Sequence, residues 1–329
     1  MTYRISGLRI RPRYWVGLGT AVLIVSTTSC TLAPRGDMAA SERLRETAGL
    51  VEEVKALGKT LGIEPTATLS RTTQEAPALS MLWLWMQRAG TLALRAPVDI
   101  RMAIGFNSEK ERLKIEQVYR VDGYSVYYRQ GNEFADSRSV ATIGFAAEPI
   151  VRRVMVILHE DLHGDANFAL PWEIEEAIVT PLGWLAAVEY FRQKGEETNW
   201  KNAVASVAEE RKLSRELIAF AAQAEQTFAT LPVDDAKEKI LEYLADYPTY
   251  QRQFDRQTRD QHAPTVLEAK LSHDLAYYRY FDRIADLSEK APSLKTLIAD
   301  LKNIPTETNP AATEKFLQAL FTSYSTAAR

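Results

Sequence analysis

Two of the chain's four histidines stand four residues apart, His159 and His163 in the run VMVILHEDLHGD, and no other feature constrains the fold so tightly. Residues four apart on an α-helix project side by side, so the pair acts together only if the segment is helical. The flanks agree. Pro149 suits a first helical turn, Gly164 suits a stop, and Val151, Met155, Leu158 and Leu162 recur at helical spacing between them.

Each imidazole of such a pair can offer a nitrogen to one ion, and a catalytic zinc takes three protein ligands and leaves one place for water. Glu160 lies about 100° round the helix from one histidine and about 60° from the other. That is too far round to ligate with both, but it suits a general base holding a water. Asp161 points to the opposite side, where a charge on a buried helix needs a partner or water. A third ligand is expected downstream, in LPWEIEEAIVTPLG from Leu170 to Gly183. Glu173 and Glu176 share a face there with Ala177 and Thr180, while Glu175 lies nearer the side of Ile178 and Val179. Glu176 is the first choice and Glu173 the second, with the Thr180 hydroxyl placed to orient a histidine ligand. Carboxylates also favour helix N-termini for the dipole alone, which accounts for Glu173 and Glu175 better than for Glu176. Further on, in LEAKLSHDLAYYRYF, His273, Tyr277 and Tyr280 form an i, i+4, i+7 stripe. His273 and Tyr277 are therefore candidates to stabilise the oxyanion of carbonyl attack, although such stripes more often pack a core.

The formal charge of −3 and the lack of any Lys/Arg block exclude a partner held through nucleic-acid phosphates. The first thirty residues differ in kind. Arg4, Arg9, Arg11 and Arg13 precede the apolar run WVGLGTAVLIV, then STTSC. The run is too short to span a bilayer as a stable helix and reads as a secretory signal over residues 1–29. Cys30, the sole cysteine, ends it, where bacteria attach a lipid. Loss of residues 1–29 removes four positive charges and no negative one, taking the formal charge from −3 to −7. The expected product is an acidic, disulfide-free lipoprotein of the bacterial envelope, sorted to the outer membrane and facing the periplasm, with Cys30 in the membrane and a peptide or protein as substrate.

The expected fold is α+β and mainly helical: a small antiparallel sheet beside the zinc-binding helix pair, followed by a helical C-terminal part. Residues 30–40 read as a tether, 41–200 as N-terminal helices, sheet and site helices, and 201–329 as helices packed on the catalytic part. Ser41 is placed to cap a helix ending at Gly62. ALSMLWLWMQRAGTLAL suits a buried helix, with Arg88 and Arg95 arguing against a membrane span. RLKIEQVYRV and YSVYYRQ around Asp122-Gly123 carry a hairpin signal, and Ser139–Phe145 gives a third extended piece. From Pro171 the chain reads as helix after helix, punctuated at Pro232, Pro264, Pro292 and Pro310.

HEDLH, the acidic helix IEEAIVTPLG beyond it, the upstream YYRQG and TIGFAAEPI and the lipoprotein start together resemble the gluzincin metallopeptidases, in particular the aminopeptidase-like members among bacterial lipoproteins. DDAKEKILEYLADY and HDLAYYRYFDRIADLSEKAPSLKTLIADL are similar to that family's C-terminal helices. The resemblance spans most of the chain after Cys30, and its zinc motif is the specific part. It implies a helical fold around a small sheet with zinc between two helices, peptidase activity, His159, His163 and Glu176 as ligands, and Glu160 as base. The chain departs from the family's usual pattern at Asp161 and in His-Gly-Asp, where the second histidine is more often followed by glutamine. The competing expectation is a non-catalytic envelope lipoprotein that keeps a metal site; Glu160 speaks against it, because a structural zinc closed by four ligands needs no base.

Overall fold

Pro149 and Gly164 bound a helix as the sequence requires, and the rest of the molecule is arranged to bury it. The structure is a computed structural model that describes residues 35–74, 81–92, 100–103, 113, 117, 123–131, 139–165, 168 and 170–327. Cys30 and the segments read as signal and lipid attachment lie outside the described residues.

Helix α1 (Arg35–Thr60) starts upstream of Ser41. Ser41 therefore lies inside the helix rather than capping it, and its hydroxyl accepts a hydrogen bond from Gln74 Nε2 at 2.7 Å. Strand β1 (Thr72–Thr73) follows, then β2 (Met81–Arg88), β3 (Ile100–Ala103), β4 (Tyr124–Gly131) and β5 (Ala141–Thr142). β2 corrects the expectation of a buried helix. It is the centre of an antiparallel sheet of order β3-β2-β4, with Trp83 opposite Arg129 and Trp85 opposite Tyr127. Consecutive residues Leu84, Trp85 and Met86 are all buried. A strand covered on both faces loses the alternation that would mark it, and an uninterrupted apolar run then looks the same as a buried helix.

The hairpin expectation is half corrected. YSVYYRQ forms β4, and Gly123 turns into it with φ +81, its carbonyl accepting from the N–H of Ala89 just past β2. The partner of β4 is β2, however, and Leu113 and Gln117 of RLKIEQVYRV are helical; the remainder of that segment lies outside the described residues. Of Ser139–Phe145 only β5 is extended, and it pairs in parallel with β1. Thr142 then accepts from the Phe145 N–H at 3.0 Å, capping the short α2 (Ile143–Ala147).

The helical remainder comprises α3 (Ile150–His163), α4 (Trp172–Lys194), α5 (Glu197–Thr230), α6 (Val233–Tyr243) with a single 3-10 turn after it, α7 (Pro248–Gln257), α8 (Ala263–Tyr278), α9 (Phe281–Lys290), α10 (Leu294–Leu301) and α11 (Pro310–Ala327). Mainly helical with a small antiparallel sheet and a helical C-terminal part, it is the expected α+β class. α5 runs without a break through residue 200, where the sequence suggested a boundary. Pro232, Pro264, Ser293 and Pro310 stand at helix starts as expected. Among the described residues no helix is long and apolar enough to cross a membrane.

α4 is the central element, packed by α3, α5, α8 and α9. Ile174, Ala177, Ile178, Val179, Leu182 and Ala186 are fully buried on it, so the helix is apolar on nearly every side. Its crossing with α3 is close because Gly183 has no side chain. A Cβ there would stand 3.0 Å from the His159 Cβ and 3.2 Å from the Met155 carbonyl oxygen.

Candidate metal centre

That close crossing brings three ligand atoms together. His159 Nε2 and His163 Nε2 are 3.1 Å apart, His163 Nε2 is 3.1 Å from Glu176 Oε2, and His159 Nε2 is 3.6 Å from the same oxygen. Ligands about 2.0–2.1 Å from a tetrahedral zinc stand roughly 3.3 Å from one another. The triangle thus has the size that a small divalent ion needs. Among the described residues His159, His163 and Glu176 are the group able to hold a metal ion. Glu173, the second choice for the third position, does not join them, and its charge acts on Arg279 instead.

Glu175 has a part that its angular position did not suggest. Its Oε1 lies 2.8 Å from His163 Nδ1, so the carboxylate accepts a hydrogen bond from Nδ1–H and leaves Nε2 to face the triangle, the usual way a ligating imidazole is oriented. The signal was the doubled Glu175-Glu176 itself: adjacent acids on a helix can reach the two ends of one ring. Thr180 does not orient a histidine, since its hydroxyl oxygen is buried without a partner among the described residues.

Electrostatics favour a cation in the triangle. Burial and the neighbouring His163 push His159 down to about 3, against the pull of Glu176 and the Val179 carbonyl. At His163 burial also acts downward, but Glu176, Glu175 and Glu160 outweigh it and raise the group well above the usual histidine range. Three carboxylates thus converge on one imidazole, an excess of negative charge that a divalent ion would neutralise. Glu160 is buried, and its charge reaches His163 without its joining the three ligands.

No family model, curated protein or solved structure matches this chain. The site therefore stands on its own geometry.

Asp161 meets the requirement set by its burial. It pairs with Lys55 of α1 and accepts from the Thr66 N–H at 3.0 Å and the Thr66 hydroxyl at 2.6 Å. His273 of α8 is almost fully enclosed. Its ring stands 4.4 Å from that of Trp85, 5.1 Å from that of Tyr127 and 4.9 Å from that of Tyr277. Its Nδ1 lies 2.8 Å from Asp274 Oδ1, and Asp274 also pairs with Lys270 and accepts from the Tyr250 hydroxyl at 2.8 Å. Burial would raise Asp274, yet Lys270 and His273 hold it at about 2. An ionised Asp274 only accepts, so His273 carries its proton on Nδ1. Burial pushes His273 itself down to about 4, so at neutral pH its buried Nε2 has a lone pair and no proton. His273 is therefore no donor to an oxyanion in this state. Tyr280 is core, its hydroxyl donating to the Pro310 carbonyl at 3.1 Å. Tyr277 remains the stripe's candidate donor, and the guanidinium of Arg129 on β4 stands 5.9 Å from its ring centre.

Proposed function

We propose that this chain is a zinc-dependent metallopeptidase of the bacterial envelope, exported by its N-terminal signal and anchored by a lipid on Cys30. One observation carries the reading: His159, His163 and Glu176 place their ligand atoms 3.1–3.6 Å apart, with a fourth residue, the acidic Glu160, buried and outside the set. A scaffold zinc has no use for such a residue. The gluzincin resemblance and the export signal support the same reading.

His159, His163 and Glu176 would hold the ion. Bound there, zinc supplies Lewis acidity, lowering the pKa of water and polarising a peptide carbonyl. Glu160 takes the proton from the attacking water and passes it to the leaving amine. Glu175 keeps His163 in the tautomer that presents Nε2. Tyr277 offers its hydroxyl to the charge that develops on the carbonyl oxygen. Behind it, His273 and Asp274 form a packed wall that fixes the Tyr277 ring.

The test is metal analysis of the protein lacking residues 1–29, followed by digestion of a broad peptide library with and without chelator. Alanine at His159, His163 or Glu176 should abolish stoichiometric zinc. Glu160→Gln should keep full occupancy and an unchanged unfolding transition while losing roughly 100- to 10,000-fold in rate, the contribution of a general base. Wild-type rates in metal-replete Glu160→Gln would place the base elsewhere. A zinc-replete wild type that cleaves nothing would be the non-catalytic lipoprotein. Labelled palmitate should enter the wild type and not Cys30→Ser.

A further inference from the structure

The sheet carries an arginine, Arg129 of β4, that has no carboxylate partner among the described residues. β4 and β2 present Tyr127, Arg129, Trp83 and Trp85 on one face, because Trp83 lies opposite Arg129 and Trp85 opposite Tyr127 in the ladder. This face packs on α8. Trp83 and Trp172 both pack against the buried cluster of Trp85, Tyr127, Val266 and Ala269. Trp172 opens α4, and Glu176 follows it one turn later on the same side of that helix. The Trp83–Arg129 row is thereby tied to the helix that supplies the third ligand.

Arg129 keeps solvent access although protein surrounds it, as a side chain in the wall of a cleft does. Its guanidinium stacks over Tyr277 at 5.9 Å and has no hydrogen bond or ion pair to a carboxylate among the described residues. Loss of hydration would lower its pKa, but Tyr277, Tyr127, Tyr278 and Glu176 outweigh that and raise it. Glu176 is among the groups whose charge acts on Arg129. Of the other carboxylates of the centre, Glu175 faces His163 and Glu176 faces both histidines.

We propose that Arg129 is the binding residue for the C-terminal carboxylate of a short peptide substrate. A guanidinium is a rigid fork that matches a carboxylate in two parallel hydrogen bonds, which a lone ammonium does not. The C-terminal end of the substrate is then held on the sheet side of α8, against Tyr277. The aromatic rings of Tyr277 and Trp83 flank the fork and give the terminal side chains an apolar surface. This inference rests on the peptidase reading for its substrate, and the experiment separates the two.

One peptide series would be prepared with free C-terminal carboxylates and again as C-terminal amides. The wild type should cleave the acids with a kcat/KM roughly 10- to 100-fold above the amides, the value of a charge-assisted hydrogen-bond pair. Arg129→Ala should erase the gap by raising KM for the acids with kcat little changed, and Arg129→Lys should restore part of it. Equal cleavage of acids and amides by the wild type would overturn the proposal and leave the peptidase reading standing, as would a preference that survives Arg129→Ala. A second readout needs no turnover: calorimetry of an N-acetylated dipeptide and of its amide with the metal-free protein. Should no peptide be cleaved, tighter binding of the acid that is lost in Arg129→Ala upholds the carboxylate site, and equal binding of acid and amide refutes it.

Discussion

Asp161 and Gly164 are the residues that set this chain's H-E-x-x-H run apart from its usual surroundings, and one loop accounts for both. Asp161 accepts from the N–H and hydroxyl of Thr66 and pairs with Lys55. Gly164 leaves room for the same threonine, since a Cβ at 164 would stand 2.2 Å from the Thr66 methyl. The charge on the back of the helix and the missing side chain at its end together fix the loop that follows α1 against the histidine helix. Asp161 is 1 % exposed. Removing one member of so enclosed a pair leaves the other charge without compensation, at a cost of about 3–5 kcal/mol. Asp161→Ala should lose stability of that order in a urea titration. A loss below about 1 kcal/mol would mean that water reaches Lys55 and Thr66 freely. The sequence made Asp161's need for a partner legible, but not the partner, because Lys55 is 106 positions away and no local pattern encodes such a contact.

At the scale of elements, α3 and α4 form the site only because they touch at Gly183. Gly183→Ala would set a methyl group 3.0 Å from the His159 Cβ and 3.2 Å from a backbone oxygen, and neither neighbour can yield without moving α3. The expected result is a stability loss of about 1–3 kcal/mol from overpacking and zinc affinity weakened about 10-fold or more as His159 shifts against Glu176. Gly49→Ala is the control, on the exposed face of α1 with nothing within 4 Å of its Cβ; it should gain about 0.5–1 kcal/mol. Equal behaviour of the two variants would show that the crossing is not set by Gly183. Helices with a proline at the start, such as α3, α6 and α11, were legible from spacing and punctuation. β2 was not, because burial on both faces erased its period. The ligand triangle was legible from two motifs, since each fixes side chains on one helix. Glu175 and Arg129 were not, since their parts depend on a ring orientation and a strand register that only the assembled fold supplies.

For the molecule as a whole, the centre is also a cross-link between the two consecutive helices α3 and α4. An ion that binds the folded state alone adds stability by mass action, about 2.7 kcal/mol at 100 times its dissociation constant. Zinc should accordingly raise the unfolding midpoint of the purified protein, chelator should lower it, and the triple alanine variant of His159, His163 and Glu176 should respond to neither. A wild type whose midpoint ignores zinc would refute a resident ion. The pairing of Lys55 with Asp161 has a mechanical side too. α1 spans 26 residues, about 39 Å of stiff rod, and only four residues stand between its start and Cys30 in the sequence, a reach of at most roughly 18 Å. With a lipid on Cys30 as proposed, the protein would not roam above the bilayer but lean on it like a buoy on a short chain. A tug on such an anchor would run up the rod to Lys55 and arrive, through Asp161, on the helix that carries both histidines.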